Sequence, residues 1–251
     1  MHYERTQKGN PHQLTVNQHI LPARSIARFV NTSGRVSVFH KKAGKIIQAK
    51  PADQVFCAKR TWDQRAESGY MKNVEDKFQA LADAILNGRQ KQIGPLEKWI
   101  VTDMFILWNI RSHRYKQPIK DQHINQGSAI SPELSKNDQE ILESKHVGFI
   151  KPDFTMPGRS LAGLHIQRNV DMEREEMKDA QWGILTAREG EFLVPDNFSN
   201  ARIMPLTPKC CLFSQSENDV IGLEQVREIN RIALANDLTF WFARDVGKCP
   251  V

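Results

Sequence analysis

The stretch VNQHILPARSIARFVNTSGRVSVFH, residues 16–40, contains both kinds of regular element that the chain needs. A polar pair, Gln18-His19, precedes a segment with apolar residues at helical spacing. Residues 31–34 favour a turn, and residues 35–40 alternate in the manner of a strand. The helix needs a core and the strand needs a partner, so this stretch predicts an α+β fold in which the remaining chain supplies both.

The rest of the chain supplies further helices and strands. Apolar spacing or capping residues predict helices at 70–86, 95–115, 131–145, 160–180 and 224–235. Strands are predicted at 45–48, 182–187, 191–194 and 210–214, and residues 238–243 are expected to form a strand or a helix end. A turn at 188–190 would join the strands at 182–187 and 191–194 as a hairpin. The helix from residue 95 is apolar on nearly every side, which indicates a buried central helix. We expect a helix-rich domain in which this helix packs against a small, mostly antiparallel sheet.

The domain organisation follows from the breaks in these patterns. Residues 1–15 are polar and contain Gly9, Asn10 and Pro11, which predicts a flexible leader. Residues 16–251 then form a single α+β domain. Irregular insertions are expected near residues 50–70 and 116–132.

The charge balance indicates the class of partner. The formal net charge is +6, which favours anions, and nucleic acid, either RNA or DNA, is the commonest large anion in a cell. No apolar run approaches the roughly 20 residues that span a bilayer. The polar N-terminus lacks the apolar core of a signal peptide. We therefore expect a cytoplasmic protein without a membrane partner.

The four cysteines, Cys57, Cys210, Cys211 and Cys249, form no Cys-x-x-Cys pair. Cys210 and Cys211 are adjacent, so in a strand their side chains point to opposite faces. This spacing argues against a structural zinc site or a disulfide framework. Buried or free thiols are the expected state.

Four polar residues at the ends or edges of apolar elements make a candidate catalytic set: His19, Glu75, Arg111 and Asp196. A histidine with two carboxylates can hold Mg²⁺ or Mn²⁺, and an arginine can clamp a phosphate through two hydrogen bonds. These are the parts of a metal-dependent nuclease or phosphodiesterase. The candidate substrate-binding residues are Gln18, Arg24, Arg28, His113, Arg114, Asn197 and Asn230.

A purely structural role for the same residues is the alternative. In that case His19 caps the opening helix, Arg111 pairs with Glu75, and Asp196 forms an Asx-turn. The distances between these residues in the folded protein decide between the two.

Two other chemistries are compatible with parts of the sequence. His113 lies between two arginines and could act as a general acid or base in metal-free RNA cleavage, or it could belong to a solvated basic helix end. Asp153, Glu176 and Lys178 have the letters of a PD-(D/E)xK nuclease, which requires them on neighbouring strands. Glu176 and Lys178 lie in a charged run that instead favours a solvated helix.

Two classes of function therefore remain. The first is a nuclease-like toxin or phage-defence effector that cleaves a phosphodiester with the His, carboxylate and Arg set. The second is a non-catalytic nucleic-acid-binding or regulatory protein that uses a basic surface, with residues 111–115 and 41–50 as candidates.

Several short motifs follow one another in a defined order over residues 16–245. They are Gln18-His19-x-x-Pro22 before a helix ending in Phe29, a strand at 36–39, Glu75 on the first long helix, Arg111 at the end of the apolar helix, Asp196-Asn197 after a strand, Pro205-Leu206-Thr207-Pro208, and Ile229-Asn230 in a late helix. This order resembles the bacterial family catalogued as domain of unknown function 4238, with Phe198 standing where that family has Pro. The resemblance implies the same order of elements and no established chemistry.

Overall fold

A computed structural model describes residues 3–124, 133–199, 201–236 and 238–251. The helices in this part of the chain are α1 (Ala23–Ala27), α2 (Met71–Leu86), α3 (Pro95–Lys116), α4 (Lys136–Ser144), α5 (Gly158–Glu176) and α6 (Leu223–Leu234). The strands are β1 (Asn17–His19), β2 (Val36–His40), β3 (Lys45–Ala49), β4 (Cys57–Lys59), β5 (Gln122–His123), β6 (Thr155–Met156), β7 (Trp182–Ala187), β8 (Val194–Pro195), β9 (Ile203–Thr207), β10 (Cys210–Ser214), β11 (Asp219–Ile221) and β12 (Phe240–Ala243). The fold is α+β, as the sequence predicts.

The strands are divided among several small sheets. One four-stranded sheet has the order β11-β7-β10-β9, and a second has the order β3-β2-β12-β8. Two ribbons, β1-β4 and β5-β6, accompany them. The strand pairs are antiparallel except that β11 runs parallel to β7. The mostly antiparallel character is therefore confirmed, although the strands form more than one sheet.

Helix α3 is the buried central helix that its composition predicts. Val101 and Ile106 are fully excluded from solvent, and the helix packs against both α2 and α5. Phe105 packs on Trp182 of β7, with 5.7 Å between ring centroids. Trp182 Nε1 also donates a hydrogen bond to Thr102 Oγ1 at 3.0 Å. The predicted packing of a central helix against a sheet is thus confirmed.

The opening stretch obtains its core and its strand partners from the C-terminal part of the chain. Strand β2 pairs with β3 on one side and with β12 on the other. Phe29, at the end of the opening helical segment, packs edge-on against Phe242 of β12. The first and last thirds of the chain are therefore joined in one sheet.

Residues 50–70, where the sequence predicts an irregular insertion, contribute buried side chains to the core. Strand β4 pairs with β1, and Phe56 and Trp62 are almost completely buried. A single π-helical turn, Ala66–Tyr70, leads directly into α2. A three-residue strand is too short to show a period of two, which explains why the sequence pattern missed it.

The predicted hairpin of residues 182–187 and 191–194 is also wrong. Strand β7 pairs with β10 and β11, whereas β8 pairs with β12 in the other sheet. Phe192 and Leu193 are both buried, and the backbone N–H of Phe192 bonds to Pro208 O at 2.9 Å. The segment therefore leads into the second sheet instead of turning back along β7.

The second predicted insertion lies partly outside the described residues. Residues 125–132, including the predicted helix start at Ser131-Pro132, are among those that the structure does not describe. Helix α4 begins at Lys136, where Ser135 and Asp138 form a reciprocal capping box. Immediately before the gap, β5 pairs with β6 and so connects the end of α3 to the start of α5.

The N-terminal segment contacts the rest of the domain, which differs from the predicted flexible leader. Leu14 is 3% exposed and belongs to the buried hydrophobic residues. Glu4 forms ion pairs with Arg159 and Lys136. Polar residues in this segment therefore find partners on α4 and α5 that no local pattern reveals.

The four cysteines are in the expected state. Cys57, Cys210, Cys211 and Cys249 are all buried free thiols. Burial raises the pKa of Cys57 and Cys210 to about 11 and that of Cys249 to about 12. Among the described residues, every helix is too short or too polar to cross a membrane.

Candidate functional site

Arg111 and Glu75, two members of the predicted catalytic set, meet in the structure. Nη1 of Arg111 on α3 forms an ion pair with Glu75 Oε1 on α2, and the Arg111 side chain is 1% exposed. The guanidinium lies over the ring of Trp62, 5.4 Å from its centroid, and 4.0 Å from Glu67 Oε2. The structural pair predicted as the alternative is confirmed, and it joins α2 to α3.

Asp196 lies in a separate buried cluster directly after β8. Its Oδ2 accepts a hydrogen bond from the backbone N–H of Thr239 at 2.9 Å and lies 3.4 Å from Lys116 Nζ. Nδ2 of Asn197 donates to Asp196 Oδ1 at 3.0 Å and to Ser112 Oγ at 3.4 Å. Burial raises the pKa of Asp196, although Thr239 and Lys116 lower it. Asp196 thus binds the segment before β12 in place of forming the predicted Asx-turn.

His19, at the end of β1, joins neither cluster. Its Nε2 lies 3.1 Å from the carbonyl oxygen of Pro51. The predicted cap is wrong, because Pro22 occupies the N-cap of α1 and no side chain caps that helix. Within the described part of the chain, no group of three or more His, Cys, Asp or Glu side chains is arranged to hold a metal ion. His19, Glu75 and Asp196 therefore do not come together as the predicted ligand set.

Gln18 and Asn230, predicted to bind substrate, bind buried backbone groups. Gln18 Nε2 donates to Trp62 O at 2.8 Å, and its Oε1 accepts from the N–H of Thr61 at 2.7 Å. Asn230 is fully buried, and its Oδ1 accepts from the N–H of Leu193 at 3.0 Å. Both side-chain amides therefore form hydrogen bonds with backbone groups of irregular segments, which have no neighbouring strand to bond with.

The remaining predicted cations lie on separate parts of the surface. Arg28 Nη2 is 2.8 Å from Asp83 Oδ1, and Arg24 binds the other oxygen of the same carboxylate, so the opening helix is fixed to α2. His113 is exposed on the last turns of α3, and burial together with neighbouring cations lowers its pKa. Arg114 is half-buried, and its Nε has no hydrogen-bond partner among the described residues.

The letters of the PD-(D/E)xK pattern do not correspond to the geometry that this chemistry requires. Asp153 Oδ1 accepts a hydrogen bond from the N–H of Thr155 in a loop. Glu176 ends α5, and Lys178 pairs with Glu175 at 3.0 Å on the surface. None of the three motif residues lies on a strand.

A cavity of about 380 Å³ lies where the N-terminal segment, β4, the end of α3 and the start of α5 meet. Its size falls in the range of small-ligand sites. The lining residues are Tyr3, Glu4, Cys57, Lys59, Arg60, Thr61, Tyr115, Pro118, Ile119, Asp121 and Arg159. Three cations and two tyrosines thus surround one cavity, and of these five residues the sequence patterns selected only Tyr115, as part of the basic surface at residues 111–115.

Two buried arginines, Arg60 and Arg159, share a single carboxylate at the wall of this cavity. Glu143 Oε2 lies 2.6 Å from Arg60 Nη2 and accepts a hydrogen bond from Arg159 Nε at 3.0 Å. The arginine side chains are 1% and 5% exposed. Arg60 Nε is buried without a hydrogen-bond acceptor among the described residues, whereas Arg159 Nη2 lies 2.9 Å from Glu143 Oε2. The arginine pair therefore retains unused donor capacity.

The backbone at Arg60 is held in an uncommon conformation. Its φ is +42°, a region that few residues other than glycine adopt. The N–H of Arg60 bonds to Val16 O at 3.0 Å, which continues the contact between β1 and β4. Such strain costs about 1–3 kcal/mol and occurs preferentially at functional sites. Here it turns the Arg60 side chain away from the ribbon into the buried network.

The start of α5 places Arg159 beside the cavity. Asp121 Oδ1 accepts a hydrogen bond from the N–H of Gly158 at 2.9 Å and so binds the N-terminus of the helix. A β-carbon at Gly158 would lie 2.0 Å from the carbonyl oxygen of Ile119. Only glycine allows this close approach, which brings the segment after α3 against the first turn of α5.

Glu4 enters the same network from the N-terminal segment. Its carboxylate forms ion pairs with Arg159 Nη1 and Lys136 Nζ, and it lies 3.4 Å from Lys151 Nζ. Burial alone would raise the pKa of Glu4, but Arg159 and Lys136 lower it to about 2. An anion at this position is therefore strongly stabilised.

The arrangement is suited to binding an anion with several oxygens. A guanidinium group binds phosphate through two parallel hydrogen bonds, and it tolerates burial better than an ammonium group does. Burial and the charge of Arg159 lower the pKa of Arg60, as expected where two guanidinium groups share one carboxylate. A bound phosphate would relieve this repulsion.

No pattern in the sequence identifies Arg60 and Arg159 as site residues. Arg60 lies in a segment without periodicity, and Arg159 lies beside Gly158, just before the helix predicted at 160–180. The positive φ of Arg60 and the burial of both arginines arise only in the folded chain.

Neither a protein-family model nor a curated protein nor a solved structure matches this chain. The resemblance to the family catalogued as domain of unknown function 4238 therefore stays a prediction from motif order.

Proposed function

We propose that this protein binds nucleic acid and takes a phosphate of a single-stranded segment into the cavity beside Arg60 and Arg159. One observation carries the proposal: two arginines, each at least nine-tenths buried, line one cavity and share a single carboxylate, and Arg60 Nε is buried without an acceptor in the described chain. Buried polar groups normally have partners, so unused donors at a cavity favour a ligand that supplies acceptors.

The rest of the cavity fits a nucleotide. Lys59 adds a third positive charge to the wall, and the whole chain has a formal net charge of +6. Tyr115 contributes an aromatic ring, and bases of single strands commonly stack on such rings. A charged groove combined with aromatic side chains is the usual composition of a single-strand site.

The depth of the arginines favours a single strand over a duplex. Both side chains are at least nine-tenths buried, so a phosphate must enter the cavity to reach them. The phosphates of a duplex are held on a stiff, regular backbone. An unpaired nucleotide or a strand end can turn its phosphate inward.

Binding is proposed in preference to cleavage because the predicted catalytic residues occupy three separate places. Arg111 and Glu75 neutralise each other, Asp196 binds backbone near β12, and His19 bonds to Pro51. Phosphodiester cleavage with Mg²⁺ or Mn²⁺, and a role as a toxin or phage-defence effector, stay predictions from the sequence.

The proposal is tested by fluorescence anisotropy with labelled RNA and DNA strands of about twelve nucleotides, a length within the usual site sizes. We expect single strands to bind more tightly than the matching duplex. The affinity should decrease linearly on logarithmic scales as salt is added. The same mixtures, incubated with Mg²⁺ or Mn²⁺ and separated on denaturing gels, report any cleavage.

Two variants locate the binding site. Lys59→Gln removes a charge that lines the cavity without touching the Glu143 network, and Arg159→Lys keeps the charge but loses the planar donor geometry. We expect each to lower the affinity about tenfold, which corresponds to about 1.4 kcal/mol.

Lys42→Gln is the matched control for the surface predicted from residues 41–50. Lys42 is exposed in the turn between β2 and β3 and does not line the cavity. If Lys42→Gln weakens binding more than Lys59→Gln does, or if no strand binds at low salt, the proposal is overturned.

A further inference from the structure

We propose that residues 3–8 act as an internal plug: the Glu4 carboxylate occupies the position that a nucleic-acid phosphate takes, and the ligand binds by displacing this segment. The inference rests on the proposed function of the cavity and adds its regulation. We therefore expect the unmodified protein to bind its ligand more weakly than the cavity would with residues 3–8 displaced.

The first argument is the number of cations around one carboxylate. Arg159, Lys136 and Lys151 converge on Glu4 from three different parts of the fold. A carboxylate has two oxygens and one charge, whereas a terminal phosphate has three acceptor oxygens and up to two charges. Each cation also pairs with a second carboxylate, that of Glu143, Glu140 or Asp121, so Glu4 occupies the point that all three cations share and that the terminal phosphate of a strand would take.

The second argument is how weakly the segment is anchored. None of residues 3–13 is buried, and Leu14 is the first residue of the described chain with a buried apolar side chain. Apart from Glu4, the segment is held by polar contacts. Arg60 Nη1 donates to Glu4 O at 3.1 Å, and Gln7 bonds to Glu140 through its backbone and side chain at 2.9 and 3.1 Å. Water can replace such contacts at little net cost.

The third argument is the presence of a turn between the plug and its anchor. Gly9 and Asn10 both have positive φ, +78° and +47°, and the N–H of Asn10 bonds to Gln7 O at 2.9 Å. Leu14 remains in the core on the far side of this turn. Residues 3–8 can therefore leave the cavity by rotation at residues 9–10 without extracting an apolar side chain.

The two anions exclude each other. A phosphate that reaches Arg159 would lie against the Glu4 carboxylate, and like charges in a partly desolvated site repel strongly. The observed affinity is then the intrinsic affinity multiplied by the fraction of molecules with the plug released.

The experiment compares four proteins in the anisotropy assay: the unmodified protein, Glu4→Gln, Gln7→Ala and Glu224→Gln. Glu4→Gln removes the competing charge, so we expect about tenfold tighter binding of the single strand. Gln7→Ala loosens the segment and leaves the cavity intact, so we expect a smaller gain of about threefold. Glu224 is exposed on α6, and Glu224→Gln makes the same change in net charge with no expected gain.

A second readout follows the displacement itself. Lys8 is exposed at the end of the plug, so trypsin cleavage after Lys8 reports how accessible the segment is. We expect the strand to accelerate this cleavage in the unmodified protein. Gln7→Ala should be cleaved faster even without ligand.

The outcomes separate the plug from the function on which it rests. If Arg159→Lys binds more weakly but Glu4→Gln binds no better than the unmodified protein, the plug is overturned and the cavity site stands. An equal gain in Glu224→Gln assigns the effect to net charge and also overturns the plug. If no strand binds to any of the proteins, both proposals fail.

Discussion

Single polar residues near apolar elements were easy to find in the sequence, but their partners were not. Gln18 precedes the opening helix, and Asn230 lies within an amphipathic one, so both resembled residues placed for a ligand. In the structure, their amides bind the backbone of Trp62 and Leu193. A side chain that satisfies buried backbone and one that awaits a ligand have the same sequence signature. Only the positions of distant backbone groups distinguish them.

Asn230 provides a test of this structural role. Asn230→Ala would leave Leu193 N, Glu191 O and Pro250 O without their partner, all in or near the core. We expect the free energy of unfolding, measured in urea, to decrease by about 3 kcal/mol, since each unsatisfied buried group costs about 1–3 kcal/mol. Binding of the single strand under conditions in which the variant is folded should be unchanged.

Asn73→Ala is the matched control for this prediction. Asn73 is exposed on α2, and we expect a change within about 0.5 kcal/mol, as at most surface sites. If Asn230→Ala keeps its stability but loses the strand, Asn230 contacts the ligand and the structural assignment is wrong.

At the scale of elements, the sequence was informative where a period extends over several turns. The helices at α2, α3 and α6 begin and end within two residues of the predicted bounds. Strands β1 and β4 have three residues each and pair across about forty positions, which no local pattern reveals. The start of α5 could not be predicted for the same reason, because it depends on the close approach of the distant backbone after α3 to Gly158.

Gly158 is the element-scale prediction. In Gly158→Ala the new β-carbon would overlap Ile119 O, so either the first turn of α5 or the segment after α3 must move. We expect a loss of about 2 kcal/mol in the free energy of unfolding, as for other overpacked sites. Because Arg159 follows directly, strand binding should also weaken.

The matched control is Gly69→Ala in the π-helical turn before α2. A β-carbon there meets no atom within 4 Å, and we expect no loss of stability. Equal stability of the two variants in urea would show that the close approach at Gly158 does not constrain the start of α5.

At the scale of the whole molecule, the candidate site depends on contacts that the linear chain conceals. Glu4 and Arg159 are 155 positions apart, and Arg60 and Glu143 are 83 apart. Fold class could be predicted because helical and strand periods are local. The cavity could not, because it exists only where the N-terminal segment, β4, α3 and α5 meet. Composition indicated a basic protein without indicating where its cations converge.

The pH dependence of stability tests this long-range network in the intact protein. Arg159 of α5, Lys136 of α4 and Lys151 face the Glu4 carboxylate, and its folded-state pKa of about 2 lies below the usual value near 4.3. A lowered pKa in the folded state means that ionised Glu4 stabilises the fold above about pH 4.3. That contribution is lost as the pH falls towards 2.

We therefore expect the difference in unfolding free energy between the unmodified protein and Glu4→Gln to be constant above about pH 5 and to shrink steadily from pH 5 to pH 3. The buried carboxyls of Asp63 and Asp196, whose pKa values burial raises, act in the opposite direction. They are common to both proteins, so their contributions cancel in the difference. Urea unfolding at intervals of half a pH unit measures this difference in unfolding free energy between the unmodified protein and Glu4→Gln. Glu224→Gln is the control for the change in net charge. A difference that does not change with pH would mean that Glu4 is not held by these cations in solution, and the plug would lose its electrostatic basis.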